Sequence, residues 1–519
     1  MNNYLFLLSI FLGLSDDVIS KSKIRSFPSD FWFGASTAAY QVEGGWNEDG
    51  KGSSIWDTAC HSDLNPVRDD SNGDVAADSY HKYKRDAEIA QELGLNFYRF
   101  SISWPRILPN GFPDKINTLG VEYYTKVINE LLARNVTPVV TLYHWDLPSN
   151  LQKLGGWANP SIVTWYTDYA KVVFDKFSDK VKHFITMNDP KGICFGGYGS
   201  ENTAPFLNMS GIGEYLCSRN VLLAHANAYH LYDGHYRKLH NGTVGIALNF
   251  VWYEPASDTM DDNSAAVDAR QFEWGQYAHP IFSKAGDYPT EFKKNIAYKS
   301  AEQGFARSRL NHLTAKDVTL IRGSADFLGV NTYTTKLAYR DASLEGMYTV
   351  PSYMDDMGAV LVKDPAWTQS QTNWLQEVPW GFSKLLIAIK NLYDNPPVYI
   401  MENGWSTEGG LLDEDRINYF RTYLNALLDA LDAGCDVKGY SVWSLIDSFE
   451  WRQGYLDKYG LYEVDFSSPD KTRTPRKSAF IYKEIARSKT LDPDFEPEKF
   501  IVEVTQDSQE KLKIENDVL

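Results

Sequence analysis

Residues 120–144 read GVEYYTKVINELLARNVTPVVTLYH, and the change of period within them decides the fold. Through Asn135 the apolar side chains recur at helical spacing, with Val121, Tyr124, Ile128 and Leu131 on one face. From Thr137, TPVVTLYH is a short β-branched block of strand length that ends on His144. A helix running directly into a strand is the repeating half of an α/β fold with a parallel sheet.

The same alternation continues outward in both directions. Strand-like runs are FWFGAST from Phe31, FYRFSIS from Phe97, HFITMN from His183, TVGIALN from Thr243, DFLGVN from Asp326, VYIMEN from Val398 and KGYSVWS from Lys438. Helical patterns such as DEDRINYFRTYLNALLDAL lie between them. Eight strands with intervening helices predict a single (β/α)8 TIM barrel with long βα loops, over residues 21–490. At roughly 150 residues per domain, 519 residues would suggest three or four domains, but such barrels exceed about 400 residues as one unit. Residues 342–380, rich in Tyr, Met, Pro and Trp, read as a long loop above the barrel, and 491–519 as a loosely attached acidic tail.

A net charge of −17 argues against a nucleic-acid partner, whose binders carry basic faces. Aromatic residues make up 14% of the chain, including 15 Trp; filling a large core is the first reading of that content, and so many Trp also suit flat, amphipathic ligands such as sugar rings. The apolar stretch Leu5–Leu14 is too short to cross a bilayer of about 30 Å but fits the core of a signal peptide, placed at residues 1–20. No later window approaches the length of a membrane span. Cys194 and Cys217, flanking a Gly-, Asn- and Ser-rich segment, suit a disulfide in an oxidising compartment, and Cys60 and Cys435 are left free. Asn135, Asn208 and Asn241 each begin an Asn-x-Ser/Thr sequon. These features predict a secreted, extracellular glycoprotein.

Six of the strands carry a polar or aromatic residue toward their C-terminal edge: Arg99, His144, Asn188 with Asp189, Asn331, Glu402 and Trp443. The C-terminal edge of barrel strands is where active sites are built. Glu402 closes an apolar run, so its charge needs a partner. Arg99 on the second strand supplies one and would hold Glu402 as an ionised carboxylate. Asp189 on the fourth strand is the second carboxyl group, and two carboxyl groups flanking a substrate are the equipment of a glycosidase. The alternative is a pair of structural salt bridges at the rim. No HExxH, paired CxxC, GxGxxG after a strand or GxSxG is present, so neither a metal nor a cofactor is expected. Gly45–Lys51 nearly matches a P-loop, but Gly52 stands where Ser or Thr must meet magnesium.

Three long motifs stand out, the second holding Glu402 and the third beginning at Trp443: FPSDFWFGASTAAYQVEGGW from Phe27, YIMENGW from Tyr399, and WSLIDSFEWRQGYLDKYGLYEVDF from Trp443. In them the chain resembles glycoside hydrolase family 1, the β-glucosidase family, from about Phe27 to Tyr482, and the IGEYLC loop with three sequons looks most like its insect branch. The resemblance implies that Glu402 is the nucleophile, with Arg99, Tyr333 and Asn331 supporting it. It implies that Gln41, His144, Asn188, Glu450 and Trp451 grip the sugar hydroxyls, that Trp443 underlies the ring, and that Trp374 lines the aglycone side. The partner it implies is a small-molecule β-glycoside, in the gut lumen or another secretory compartment. Oligomeric state is left open, a homodimer included.

One departure bears on the chemistry. The family motif ends Asn-Glu-Pro, with Glu as general acid/base, whereas this chain has TMNDP. Asp189 is one methylene shorter, withdrawing its carboxyl group by about 1.5 Å, while a proton donor must come within about 2.6–3.2 Å of the glycosidic oxygen. Three readings follow: a β-glucosidase in which backbone or water compensates, a myrosinase-type thioglucosidase whose sulfur leaving group needs little acid help, or a catalytically weak glycoside binder. Smaller departures at Asn202, Phe206 and Phe480-Ile481 bear on loop shape.

Overall fold

In the computed structural model, which describes residues 24–344, 346 and 348–497, all eight apolar runs are strands. They are β1 (Trp32–Ser36), β2 (Phe97–Ser101), β3 (Thr137–Tyr143), β4 (His183–Asn188), β5 (Thr243–Asn249), β6 (Leu328–Asn331), β7 (Val398–Asn403) and β8 (Val437–Trp443). Each pairs in parallel with the next and β8 closes on β1, giving a sealed eight-stranded barrel. Closure leaves no exposed sheet edge. The strands are joined by α1 (Ser79–Glu92), α2 (Thr118–Ala133), α3 (Ile162–Phe177), α4 (Gly213–His235), α5 (Ala315–Ile321), α6 (Pro379–Leu392) and α7 (Glu414–Asp432), and α8 (Lys477–Ser488) follows β8. In α3 the buried residues Ile162, Tyr166, Tyr169, Val173 and Phe177 recur every three or four positions, so one stripe faces the sheet.

Two cores result. The larger fills the space between strands and helices. The smaller lies inside the barrel and consists of Phe97, Val139, Ile185, Ala247, Phe327 and Met401, with Trp32 and Tyr399 against it. Large and small residues alternate there: a Cβ on Gly34 would lie 2.6 Å from the Phe97 ring. This plug is the floor on which the mouth rests.

The segment 342–380 is more than a loop. It contains a short helix, Tyr353–Met357, and a strand, Val360–Val362, which pairs antiparallel with Thr335–Tyr339. That strand in turn pairs with Trp252–Pro255, making a three-stranded sheet beside the barrel mouth. Its strands are three to five residues long and lack a strong alternating pattern, so composition concealed them. At the other end, barrel contacts run past residue 490. Leu491 is buried and pairs with Arg25, and Glu496 meets Lys477 at 2.7 Å. The expected signal peptide at 1–20 and the remainder of the acidic tail lie outside the described residues. Among the described residues no helix is long and apolar enough to cross a membrane.

Candidate active site

Side chains in a regular strand alternate between faces, yet Met401 packs into the barrel plug while Glu402, the next residue, also turns inward to Arg99. The pairing of β7 with β6 is irregular between Ile400 and Glu402, and that of β4 with β5 between Ile185 and Asn188. Such irregularities re-aim side chains. Here they bring Asn188 and Glu402 into the mouth, one layer above the plug.

Arg99 is fully buried and organises this layer. Its Nη1 donates to Glu402 Oε1 at 2.8 Å, its Nη2 to Asn188 Oδ1 at 2.6 Å and its Nε to Thr141 Oγ1 at 3.0 Å. Tyr333 donates to the other Glu402 oxygen at 2.9 Å, and burial together with Glu402 raises its phenol well above the usual range, keeping it a donor. Asn331 donates to Asn188 Oδ1 at 2.8 Å, so that oxygen accepts twice and turns the Asn188 amide nitrogen toward His144 Nε2, 2.9 Å away. Burial, aided by Arg99, pulls the His144 imidazole well below its usual range. It is therefore neutral, with its proton on Nδ1, an atom without a protein partner.

Asp189 follows β4 in a left-handed conformation, φ 44°. Its carboxyl group accepts the Gly192 N–H at 2.9 Å. Burial pushes it up to about 6, with Glu402 and Glu273 acting in the same direction and the Gly192 N–H and Lys191 opposing. On the eight-strand ring Asp189 and Glu402 stand three strands apart, on opposite walls of the mouth.

The remaining expected residues line the rim. Gln41 Nε2 donates to Phe449 O at 2.8 Å, while its Oε1 is buried without a partner. Burial raises Glu450 to about 8 against the opposing Ser448 and Trp443 hydrogen bonds. Trp443, at the end of β8, lies 5.8 Å from the His144 ring, and Trp451 stacks 5.9 Å from the same ring. Trp374 is 45% exposed and stands perpendicular to Tyr333, ring centres 5.5 Å apart. Cys194, in the segment that follows Asp189, forms a disulfide with Cys217, and Cys60 and Cys435 are free and buried. Asn135, Asn208 and Asn241 are all exposed. Lys51 of the near-miss P-loop pairs with Asp57 at 2.8 Å.

Sequence reasoning passed over Trp145. Its backbone is left-handed, its Nε1 donates to Asn188 O at 3.2 Å, and its ring lies 4.8 Å from Trp451. A Cβ on Gly192 would collide with both Trp145 and the Asp189 carboxyl group, so these three share one wall. Its position directly after His144 was the available signal. Lys191 and Glu273, an ion pair coupled to Asp189, were also missed, since nothing local relates residues 82 apart.

The model of glycosyl hydrolase family 1 matches residues 23–491. Myrosinase 1 of Brevicoryne brassicae is 44% identical over 462 residues, covering 88% of this chain and 98% of the relative. The aphid myrosinase structure superposes with a TM-score of 0.85 at 43% identity, covering 89% of this chain and 99% of that one. A rice β-glucosidase mutant, solved in a covalent complex with glucose, superposes with a TM-score of 0.82 at 37% identity, covering 88% and 98%. With its closed barrel and paired carboxyl groups at the mouth, the chain belongs to glycosyl hydrolase family 1 and is a β-glycosidase.

Proposed function

We propose that the protein is a retaining β-glucosidase in which Glu402 is the nucleophile and Asp189 the general acid/base. Glu402 attacks the anomeric carbon as the glycosidic bond breaks, and Asp189 passes its proton to the departing oxygen. Asp189 then takes a proton from water, which attacks the same carbon and releases Glu402. The observation that carries this reading is the contrast between the two carboxyl groups. Glu402 is gripped by Arg99 and Tyr333, whereas Asp189 is raised to about 6 by burial and so holds a proton in mildly acid solution. A carboxyl group held at both oxygens is positioned to attack, and one whose proton affinity burial has raised is equipped to donate. The buried, unpartnered atoms Gln41 Oε1, His144 Nδ1 and Asn331 Oδ1 offer two acceptors and one donor to sugar hydroxyls. Trp443 offers a flat face for the ring, and Trp374 lines the aglycone side. Incubation with a 2-fluoro glucoside bearing a good leaving group, followed by peptide mass spectrometry, tests the reading. An adduct on Glu402 supports it, and an adduct elsewhere or none sinks it.

A second reading is a thioglucosidase, favoured by the short acid at Asp189 and by 44% identity to a myrosinase. A thiolate leaves with little protonation, so a retracted acid costs it least. Comparing kcat/KM for an S-glucoside and its O-analogue decides: a strong O-preference removes this reading.

We further propose that the protein is secreted and glycosylated. The Cys194–Cys217 disulfide and three exposed sequons support this. Sequencing the mature N-terminus of the secreted product and treating it with an N-glycosidase test it.

A further inference from the structure

Beside the mouth, three lysines gather in a protein whose net charge is −17. Lys336 lies three residues past Tyr333, on the strand Thr335–Tyr339, and is paired in register with Tyr253 of the neighbouring strand. The antiparallel register Val362↔Leu337, continued by one residue, sets Lys363 opposite Lys336. Residues opposite one another on paired strands share a face, so Tyr253, Lys336 and Lys363 point the same way. The Tyr253 hydroxyl identifies what that face looks at: it donates to Glu273 Oε2 at 2.8 Å, the carboxylate oxygen that also pairs with Lys191. Lys191 is two residues past Asp189. The lysine cluster therefore borders both the Asp189 wall and the Tyr333–Trp374 side of the mouth.

The cluster is not neutralised. Glu273, the carboxylate whose charge favours the Lys336 ammonium, is already shared between Lys191 and Tyr253. Lys363 Nζ is held by Gln369 and by the Asn373 carbonyl and side chain, neutral groups next to Trp374. Lys336 is half-buried and has no ion pair among the described residues. Its burial and the adjacent Lys191 pull the ammonium below the usual lysine range, the mark of a cation short of an anion. Like charges on facing strands are unfavourable by themselves, and a bound anion would relieve them.

We propose that the aglycone side of the mouth recognises an anionic substituent, such as a carboxylate or sulfate, with Lys336 as its primary contact and Lys191 and Lys363 reinforcing it. This rests on the glycosidase reading for the sugar itself.

The test uses aryl β-D-glucosides carrying a carboxylate at the meta or para position, each beside its neutral carboxamide. The wild-type protein is expected to prefer the carboxylate by at least about tenfold in kcat/KM, the effect of one charge-assisted hydrogen bond. Added salt should shrink that preference. In Lys336→Gln the ratio between the two probes should collapse toward one, and in Lys336→Arg it should persist. A wild-type ratio near one, or a ratio that Lys336→Gln leaves untouched, overturns the proposal. Titration calorimetry of Glu402→Gln with the same pairs reads the preference without bond cleavage. Selective binding of the anion with no turnover by wild type would remove the glycosidase reading and leave this one standing.

Discussion

Asp189 accepts a hydrogen bond from the backbone N–H of Gly192, 2.9 Å away and within its own loop. The proposed acid is thus tied to the segment that also carries Lys191 and the Cys194 disulfide, while the proposed nucleophile is tied to Arg99 in the barrel wall.

An acid must be protonated to assist departure, and the protonated share of Asp189 falls as pH rises through about 6. For alkyl β-glucosides, kcat/KM should fall about tenfold per unit well above that value. Substrates with strongly acidic phenol leaving groups should lack this limb. A profile for alkyl glucosides that stays flat from pH 5 to 7.5 would remove Asp189 from the acid role.

Asp189→Glu adds the missing methylene. If reach limits proton donation, turnover of alkyl β-glucosides should rise by about tenfold or more, within the range that general acid catalysis supplies. Turnover of dinitrophenyl glucosides should change little. Steady-state kinetics on both substrate classes checks this, and equal effects on the two would place the limitation elsewhere.

Tyr333→Phe removes the 2.9 Å hydrogen bond to Glu402 Oε2 while keeping the ring against Trp374. A hydrogen bond to a charged group contributes roughly 1.5–3 kcal/mol, so kcat should fall about 10- to 100-fold with little change in thermal midpoint. A fall in the midpoint with unchanged kcat would make Tyr333 a packing residue.

Cys217→Ser opens the loop that follows Asp189, whose ends are 23 positions apart. Loss of such a cross-link costs about 2–4 kcal/mol, which denaturant unfolding under non-reducing conditions would measure. Because the same segment positions Asp189, alkyl glucoside turnover should fall more than dinitrophenyl glucoside turnover.

Local pattern sufficed for the barrel. Each strand is a buried apolar run and each helix an amphipathic repeat, signals that survive in short windows, and a polar or aromatic residue toward the end of six such runs located the mouth. The sequence alone also contained the missing methylene at Asp189, since residue identity requires no coordinates. Which side chains meet there was decided by tertiary structure. Met401 and Glu402 both face the axis only because the pairing between β7 and β6 shifts, and no period-two pattern predicts two consecutive inward residues. The Arg99 contacts to Asn188 and Glu402 span 89 and 303 residues. The lysine cluster depends on a small sheet whose strands are too short to read as strands. Proton affinity was equally illegible. Asp189 and Glu402 are both carboxyl groups at strand ends, and only the packed surroundings place Asp189 at about 6.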